Sequence, residues 1–155
     1  MDITFKQVQN GDEAALFALF ASVRAEELAM AGWDERLRET VLRQQFHAWR
    51  HGYHAAHPRA GEMLIVVEGR AAGWAVLDCS GEPWHLVDIA VDRAWRRMGV
   101  ATRAIRGWQI EAAAAGCGIA LSLLRTNAPA RVLYDRLGFR VTGESATHWR
   151  MEWRP

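Results

Sequence analysis

The sequence has few of the features that mark disulfide-rich, secreted or membrane proteins. Its 155 residues include only two cysteines, Cys79 and Cys117, so we expect free thiols, as in a cytosolic protein, and not a disulfide framework. The first residues, MDITFKQVQ, are too polar for a signal peptide, and no apolar run reaches the length of a membrane span. These absences predict a soluble cytoplasmic protein with no membrane partner.

An excess of one charge sign is missing as well. The formal net charge is +1, with 19 basic and 18 acidic residues, so we expect no bulk attraction to nucleic acid. Arginines gather between positions 93 and 106, but no aromatic platform or recognition motif accompanies them. The second predicted helix and the loop after it carry several histidines, with neither an HExxH motif nor a nearby cysteine. We therefore predict no metal site at His47, His51, His54 and His57.

What the chain does contain is enough apolar material for one buried core. Half of its residues are hydrophobic and 24% are charged. No linker, repeat or low-complexity segment divides it, so we expect a single domain over residues 1–155. Apolar periodicity gives the element order β-α-α-β-β-β-α-β-α-β-β, which predicts an α/β (α+β) fold with a mixed sheet and helices on both faces.

The boundaries of these elements follow from periodicity and from turn residues. Strands are predicted at 2–8, 62–68, 72–78, 84–91, 118–125, 139–144 and 147–153. The first helix opens at Gly11-Asp12 and ends at Gly32, and the second begins near Asp34. The third covers 99–115. A short helix at 128–137 has Asn127 as its N-cap and Gly138 at its C-terminal end.

One stretch has the composition of an anion site. An apolar strand ending at Val91 runs into an arginine-rich loop, and a helix follows directly. The first amides of a helix have no partner inside it, and the helix dipole is positive there. Gly99 lets the backbone approach a bulky anion, and Arg96 and Arg97 add charge-assisted donors. This arrangement suits a pyrophosphate group.

Two familiar phosphate loops are excluded here, because neither GxxxxGK[ST] nor GxGxxG is present. What remains, Arg96-x-x-Gly99-x-Ala101, resembles the R/Q-x-x-G-x-G/A signature of the Gcn5-related N-acetyltransferases. Downstream, Asn127, a tyrosine seven positions later and an LGF sequence resemble the second acetyl-CoA segment of the same family. The two segments stand in the order of the family and at about its spacing.

This resemblance implies a mostly antiparallel central sheet of about six or seven strands and acetyl-CoA as cosubstrate. The pyrophosphate would be held by Arg96, Arg97, Gly99, Val100, Ala101 and Thr102. The backbone of Ile89, Ala90 and Val91 would bind pantetheine, because in the family this strand splays from the next parallel strand. Ordinary sheet pairing is the alternative. Asn127 and Ala130 would neighbour the cosubstrate, and Asn127 would also cap its helix.

The resemblance also implies a general acid, Tyr134, which would protonate the departing thiolate. A core tyrosine is the alternative. The base is left open, because the glutamate of ribosomal-protein acetyltransferases is replaced here by Ser122. Histone-type members place their base at His85, and polyamine-acetylating members resemble this chain at Asp88. We prefer Asp88 as a member of the acceptor pocket with His85 behind it, since a carboxylate in an apolar strand is costly unless it is used or paired.

A second carboxylate, Glu27, continues the apolar stripe of Leu16, Phe20 and Val23 on the first helix. It would hold the ammonium group of the acceptor, or it would pair with Arg24 three residues earlier.

The sequence thus predicts an acetyl-CoA-dependent N-acetyltransferase that acts on the primary amine of a small molecule or peptide by direct attack in a ternary complex. The alternative is a non-catalytic acyl-CoA-binding or regulatory module on the same fold. A homodimer is a common state in the family and is an option for this chain.

Overall fold

The computed structural model describes the backbone of residues 1–29 and 32–155 and the side chains of residues 1–25 and 32–155. The strands are β1 (Ile3–Gln7), β2 (Gly61–Val67), β3 (Arg70–Asp78), β4 (Trp84–Val91), β5 (Ile119–Leu124), β6 (Arg140–Glu144) and β7 (His148–Trp153). The helices are α1 (Glu13–Ala29), α2 (Glu35–Ala56), α3 (Val100–Ala114) and α4 (Ala128–Arg136). Among the described residues, no helix combines the length and the apolarity of a membrane span.

All seven strands form one sheet in the order β1-β2-β3-β4-β5-β7-β6. Neighbouring strands are antiparallel except for β4 and β5, which are parallel. A right-handed crossover through a helix is the usual way to connect parallel neighbours, and α3 makes this connection. The predicted element order and the predicted mixed, mostly antiparallel sheet are therefore confirmed.

Helices cover the two faces of the sheet with separate cores. The stripe of α1, with Leu16 and Phe20 fully buried, packs with Phe46 of α2 against Leu64 and Trp74 of the sheet. On the other face, the apolar side of α3 packs with α4 against inward residues of β2 to β5. The buried residues of α3 include Ala104, Ile105 and Trp108, as periodicity predicts. The site described below lies where the middle of the sheet opens between these two layers.

The parallel pair β4 and β5 separates after three residue pairs. Trp84, His85 and Leu86 pair with the first three residues of β5. Beyond Leu86, β4 continues to pair with β3 as far as Val91, while β5 continues to pair with β7 as far as Leu124. The two halves of the sheet therefore diverge, and the outer backbone of β4 faces a gap instead of a strand. This confirms that the sheet splays as the family resemblance implies.

An extra residue in β4 changes which way its side chains point. Leu77 pairs with Leu86, but Val76 pairs with Asp88, so Val87 is left without a partner in β3. A bulge of this kind shifts the alternation of side chains by one position. Leu86 lies on the α3 side of the sheet with the apolar core. Asp88 consequently lies on the opposite side, toward α1 and α2, where it meets Trp74.

Candidate active site

The loop between β4 and α3 has the backbone geometry that the predicted pyrophosphate site requires. Arg97 and Gly99 both have positive φ angles, of 64° and 78°, and Gly99 is the N-cap of α3. The first helical hydrogen bond runs from the Arg103 amide to the Gly99 carbonyl, at 3.0 Å. The amides of the first helical turn therefore point outward without a helical partner. A turn of left-handed residues followed by free amides forms a concave anion site.

Arg96 is tied to the end of the open strand. Its Nε donates to the carbonyl oxygen of Val91 at 3.0 Å, which ties this exposed side chain to the edge of the gap. The remaining guanidinium nitrogens can donate to a phosphate. The side chain lines a cavity of about 460 Å³, which we call the loop-side cavity. Its other lining residues are Ile89, Ala90, Val91, Ala101, Asn127, Pro129, Ala130, Leu133 and Tyr134.

A second cavity, of about 280 Å³, lies between the diverging strands, and we call it the Asp88 cavity. It shares Ile89, Asn127, Ala130 and Tyr134 with the loop-side cavity. A single elongated ligand can therefore run from the anion loop along β4 to Asp88. These residues fit acetyl-CoA: the loop suits its pyrophosphate, and unpaired strand amides suit the amide groups of pantetheine.

The carboxylate of Asp88 is held by two tryptophans from different elements. Trp74 of β3 donates its Nε1–H to Oδ2 at 2.9 Å, and Trp49 of α2 donates to the same oxygen at 3.1 Å. Burial raises the pKa of Asp88, while the indole donors, the Ile89 amide and the charge of Arg24 act against the rise. Asp88 is therefore paired by structural hydrogen bonds, which offset the cost of a carboxylate in an apolar strand. It also lines the cavity with Tyr134, and its role in the acceptor pocket stays a prediction.

Tyr134 reaches the same cavity from α4. It is 7% exposed, and its ring lies edge-on to Phe139 at 5.5 Å. Burial and the charge of Asp88 raise the pKa of Tyr134 to about 12. The hydroxyl is therefore protonated at neutral pH, as a proton donor must be. Asn127 caps α4 as predicted, because its side chain accepts from the Ala130 amide at 3.3 Å.

His85 lies elsewhere on the sheet. It pairs with Asp78 of β3, and its ring stacks on that of His57 at 4.7 Å. It does not line the Asp88 cavity in the described part of the chain. Burial, with the charges of His57 and Arg150, lowers the pKa of His85, and Asp78 only partly opposes this. The structure therefore places this candidate base against a second histidine, and its predicted role behind Asp88 stays a prediction.

The side chain of Glu27 lies outside the described residues, so its predicted contact with the acceptor stays a prediction. Arg24 is described. Its guanidinium lies 4.5 Å from the ring centre of Phe20, and its charge partly offsets the rise in the pKa of Asp88 that burial causes.

Several residues at this site have no clear sequence signal. Ser122 and His148 line the Asp88 cavity and also a shallower neighbouring cavity of about 300 Å³. Thr147 Oγ1 lies 2.8 Å from His148 Nδ1. The histidine comes to the site because Leu124 and His148 are the last pair between β5 and β7. Trp49 and Trp74 have the composition of core residues, and their part in the site depends on the fold.

A cavity of about 540 Å³, larger than either of these two, lies away from this chemistry. It is bounded by β1, β2 and β3, with Phe5, Arg59 and Cys79 among its lining residues. It has neither the anion loop nor the unpaired strand backbone, so its size alone does not make it the active site. The smaller, connected pair of cavities between β4 and β5 has the polar groups that chemistry requires.

The fold and this site have the features expected of an acyl-CoA-dependent transferase. A model described as the acetyltransferase (GNAT) family matches residues 22–139, and the chain belongs to that family. The predicted family membership is thereby confirmed, and so is acetyl-CoA as the cosubstrate.

Solved structures share the fold over the whole chain. The PaiA N-acetyltransferase of Thermoplasma acidophilum, in complex with coenzyme A, superposes with a TM-score of 0.73 at 14% identity over 100% of both chains. An acetyltransferase of Thermus thermophilus superposes with a TM-score of 0.70 at 16% identity, over 100% of this chain and 98% of that one. A ribosomal-protein-S18-alanine N-acetyltransferase of Escherichia coli superposes with a TM-score of 0.67 at 17% identity, over 99% of this chain and 94% of that one. No curated protein sequence matches the chain.

Proposed function

We propose that the protein is an acetyl-CoA-dependent N-acetyltransferase that acetylates a primary amine of a small molecule or peptide by direct attack in a ternary complex. The observation that carries the proposal is the meeting of Asp88 and Tyr134 in one cavity at the point where β4 leaves β5. One group can accept a proton and the other can donate one, and the cavity connects to an anion loop.

The donor would lie along β4. Arg96, Arg97 and Gly99, with the free amides of Val100, Ala101 and Thr102, would hold its pyrophosphate. The outer side of the backbone of Ile89, Ala90 and Val91, which faces the gap, would bind pantetheine, and Asn127 and Ala130 would form the opposite wall. When bound, acetyl-CoA supplies an activated acetyl group next to Asp88. The support for this assignment is the continuity of the two cavities through four shared residues.

The acceptor amine would enter beside Asp88. A free alkyl amine has a pKa of about 10.4, so it arrives as an ammonium ion and must lose a proton before it attacks. The carboxylate of Asp88 attracts that ion and takes the proton, which then leaves to solvent. Glu27, near the end of α1, is proposed as a second carboxylate toward the ammonium group. His85 is proposed to act behind Asp88 without contact to the amine, because it stacks on His57.

Tyr134 would serve the leaving sulfur. Its pKa of about 12 lies above the pKa of about 8.5 of an ordinary thiol, so proton transfer to the thiolate alone is uphill. The transfer becomes favourable because the attacking nitrogen is positively charged after it bonds to the acetyl carbon. As that nitrogen becomes an amide, it gives a proton to the Tyr134 phenolate and restores the phenol. The protons then balance: the ammonium nitrogen loses two, of which one goes to solvent and one to the thiol.

An acceptor panel tests the proposal. Thiol release from acetyl-CoA is followed with amino acids, polyamines, aminoglycosides and peptides, and products are checked for resistance to neutral hydroxylamine, which removes O-acetyl but not N-acetyl groups. We expect release that depends on an acceptor amine and a hydroxylamine-stable product. Tight binding of acetyl-CoA without acceptor-dependent release would instead identify the non-catalytic module.

A further inference from the structure

The two indoles that hold Asp88 come from different elements and belong to the apolar core on the α1 and α2 side of the sheet. Trp49 lies on α2 and Trp74 on β3, and their rings are 5.3 Å apart. Phe20 of α1 packs against both, at 5.3 Å and 6.2 Å. Three elements therefore fix the direction of the two N–H groups. Both groups end on the same carboxylate oxygen, Oδ2.

This arrangement leaves the other oxygen of Asp88 without an indole donor. A carboxylate has about four acceptor positions, and the indoles use two on one atom. Oδ1 therefore remains available to a ligand in the Asp88 cavity, with the Ile89 amide as the further backbone donor to the group. An N–H donor is best satisfied by a charged acceptor, and hydrogen bonds to charged groups are stronger than neutral ones.

The other charged and titratable groups around Asp88 come from four elements. The charge of Arg24 of α1 partly offsets the rise in the pKa of Asp88. The charge of Asp88 in turn helps raise the pKa of Tyr134 of α4, and His148 of β7 lines the same cavity. His85 precedes it on β4. None of these forms an ion pair with Asp88 among the described residues. The indoles are thus its direct side-chain partners in that part of the chain.

We infer that Trp49 and Trp74 are positioning residues that hold Asp88 as a carboxylate with one oxygen free for the acceptor. In consequence the site takes its acceptor as an aliphatic ammonium ion and not as a neutral arylamine. The statement about the acceptor rests on the proposed function. The statement about the indoles concerns the folded protein alone, and the two are tested separately.

The first test needs no substrate. Eight tryptophans give eight indole N–H signals in a ¹⁵N spectrum, and single Trp→Phe variants assign them. On titration from about pH 4 to 8, we expect the Trp49 and Trp74 signals to shift downfield as Asp88 ionises. Both shifts should have the same midpoint pH. Both movements should vanish in Asp88→Asn. Trp108, which packs in the α3 core, is the internal control and should not follow them.

Removal of one donor sharpens this test. Trp74→Phe keeps an aromatic ring but deletes the N–H, so the midpoint seen at Trp49 should rise by about one pH unit, the effect of losing one hydrogen bond to a charged group. If Trp74→Phe does not fold, Trp49→Phe read at Trp74 is the equivalent experiment. Different midpoints for the two indoles, no movement at all, or movement that survives Asp88→Asn would each overturn the inference.

The second test concerns the acceptor. Propylamine and aniline are compared near neutral pH, where the first is an ammonium ion and the second is neutral. We expect acetylation of propylamine, with an acid limb of kcat/KM that moves to higher pH in Trp74→Phe but not in Trp108→Phe. Preference for aniline would overturn the ammonium statement. Acetylation of neither, with the indole titration intact, would count against the proposed function and leave the positioning role standing.

Discussion

Asp88 of β4 and Tyr134 of α4 line the same cavity from opposite sides of the gap between β4 and β5, and the charge of Asp88 helps raise the pKa of Tyr134. The two groups are 46 positions apart in the chain and come together only because the parallel strands separate after Leu86. A site with one proton acceptor and one protonated hydroxyl, next to an anion loop, is what acyl transfer to an amine requires.

Tyr134→Phe should lower kcat by about a hundredfold or more, the usual contribution of a positioned proton donor. The affinity for acetyl-CoA should change little, because the ring that walls the cavity is kept. Steady-state kinetics and calorimetry separate these two quantities.

The chain offers a matched control for that variant, since its second tyrosine is also buried. Tyr53 is 7% exposed, and its hydroxyl has no hydrogen-bond partner among the described residues. Tyr53→Phe should therefore keep kcat and leave stability equal or higher. Equal losses of kcat in the two variants would show that Tyr134 acts through packing and not through its hydroxyl.

Asp88→Asn should abolish most acetyl transfer and yet stabilise the fold at neutral pH. Because burial raises the pKa of Asp88, the folded protein holds that proton more tightly than the unfolded chain. Wild-type stability therefore falls as pH rises above the unfolded value of about 3.9, and the variant avoids this loss. We expect Tm to increase by about 2–4 °C near pH 7, with a smaller difference near pH 4. A Tm difference that grows toward acid pH would contradict this account.

His85 gives a pH dependence in the opposite sense. Its pKa is lowered in the folded state by burial and by the neighbouring charges of His57 and Arg150, so the unfolded chain takes the proton first as pH falls. Stability is then lost below the unfolded value of about 6.5. Between about pH 7.5 and 5.5, the His85→Gln variant should lose less free energy of unfolding than wild type does. Chemical denaturation at each pH measures this difference. His47→Gln, at an exposed position of α2, should behave as wild type.

Gly73 tests the close approach of β3 to the open strand. A Cβ added there would lie 2.2 Å from the Ala90 carbonyl oxygen and 3.1 Å from the Cα of Val91. Gly73→Ala must displace the strand that faces the donor, so we expect a loss of about 1–3 kcal/mol of stability and weaker acetyl-CoA binding.

Gly107, in the interior of α3, is the matched control for Gly73. An added Cβ at Gly107 meets no heavy atom within 4 Å, so Gly107→Ala should stabilise the protein by about 0.5–1 kcal/mol. Urea denaturation of both variants measures the contrast. A neutral Gly73→Ala would show that β3 and β4 are not fixed at this spacing.

Much of this fold follows from local sequence patterns. Alternation and helical stripes place the strands and helices to within a few residues, and Asn127 and Gly138 mark the ends of α4 as capping residues should. The role of the loop between β4 and α3 in anion binding stays a prediction from its glycine and arginines. The two positive φ angles of the loop agree with that interpretation.

The acceptor side of the site is less accessible from sequence. Simple alternation along β4 would put Asp88 on the same face as Leu86, inside the α3 core. The extra residue Val87 turns it to the other face, and nothing local in the sequence marks that bulge. Its partners Trp49 and Trp74 are supplied by other elements, so their role depends on tertiary packing and not on any motif.

Calorimetric titration with acetyl-CoA and with free CoA tests whether the loop between β4 and α3 binds the cosubstrate, with Arg96→Ala and Arg106→Ala as a matched pair. Arg96 lines the loop-side cavity, whereas Arg106 is exposed on α3, about 9 Å along the helix axis from its first residue. We predict micromolar binding of both ligands by wild type, an affinity about tenfold lower for Arg96→Ala, and little change for Arg106→Ala. No binding to wild type, or equal losses in both variants, would contradict the assignment of the loop between β4 and α3 as the acetyl-CoA site.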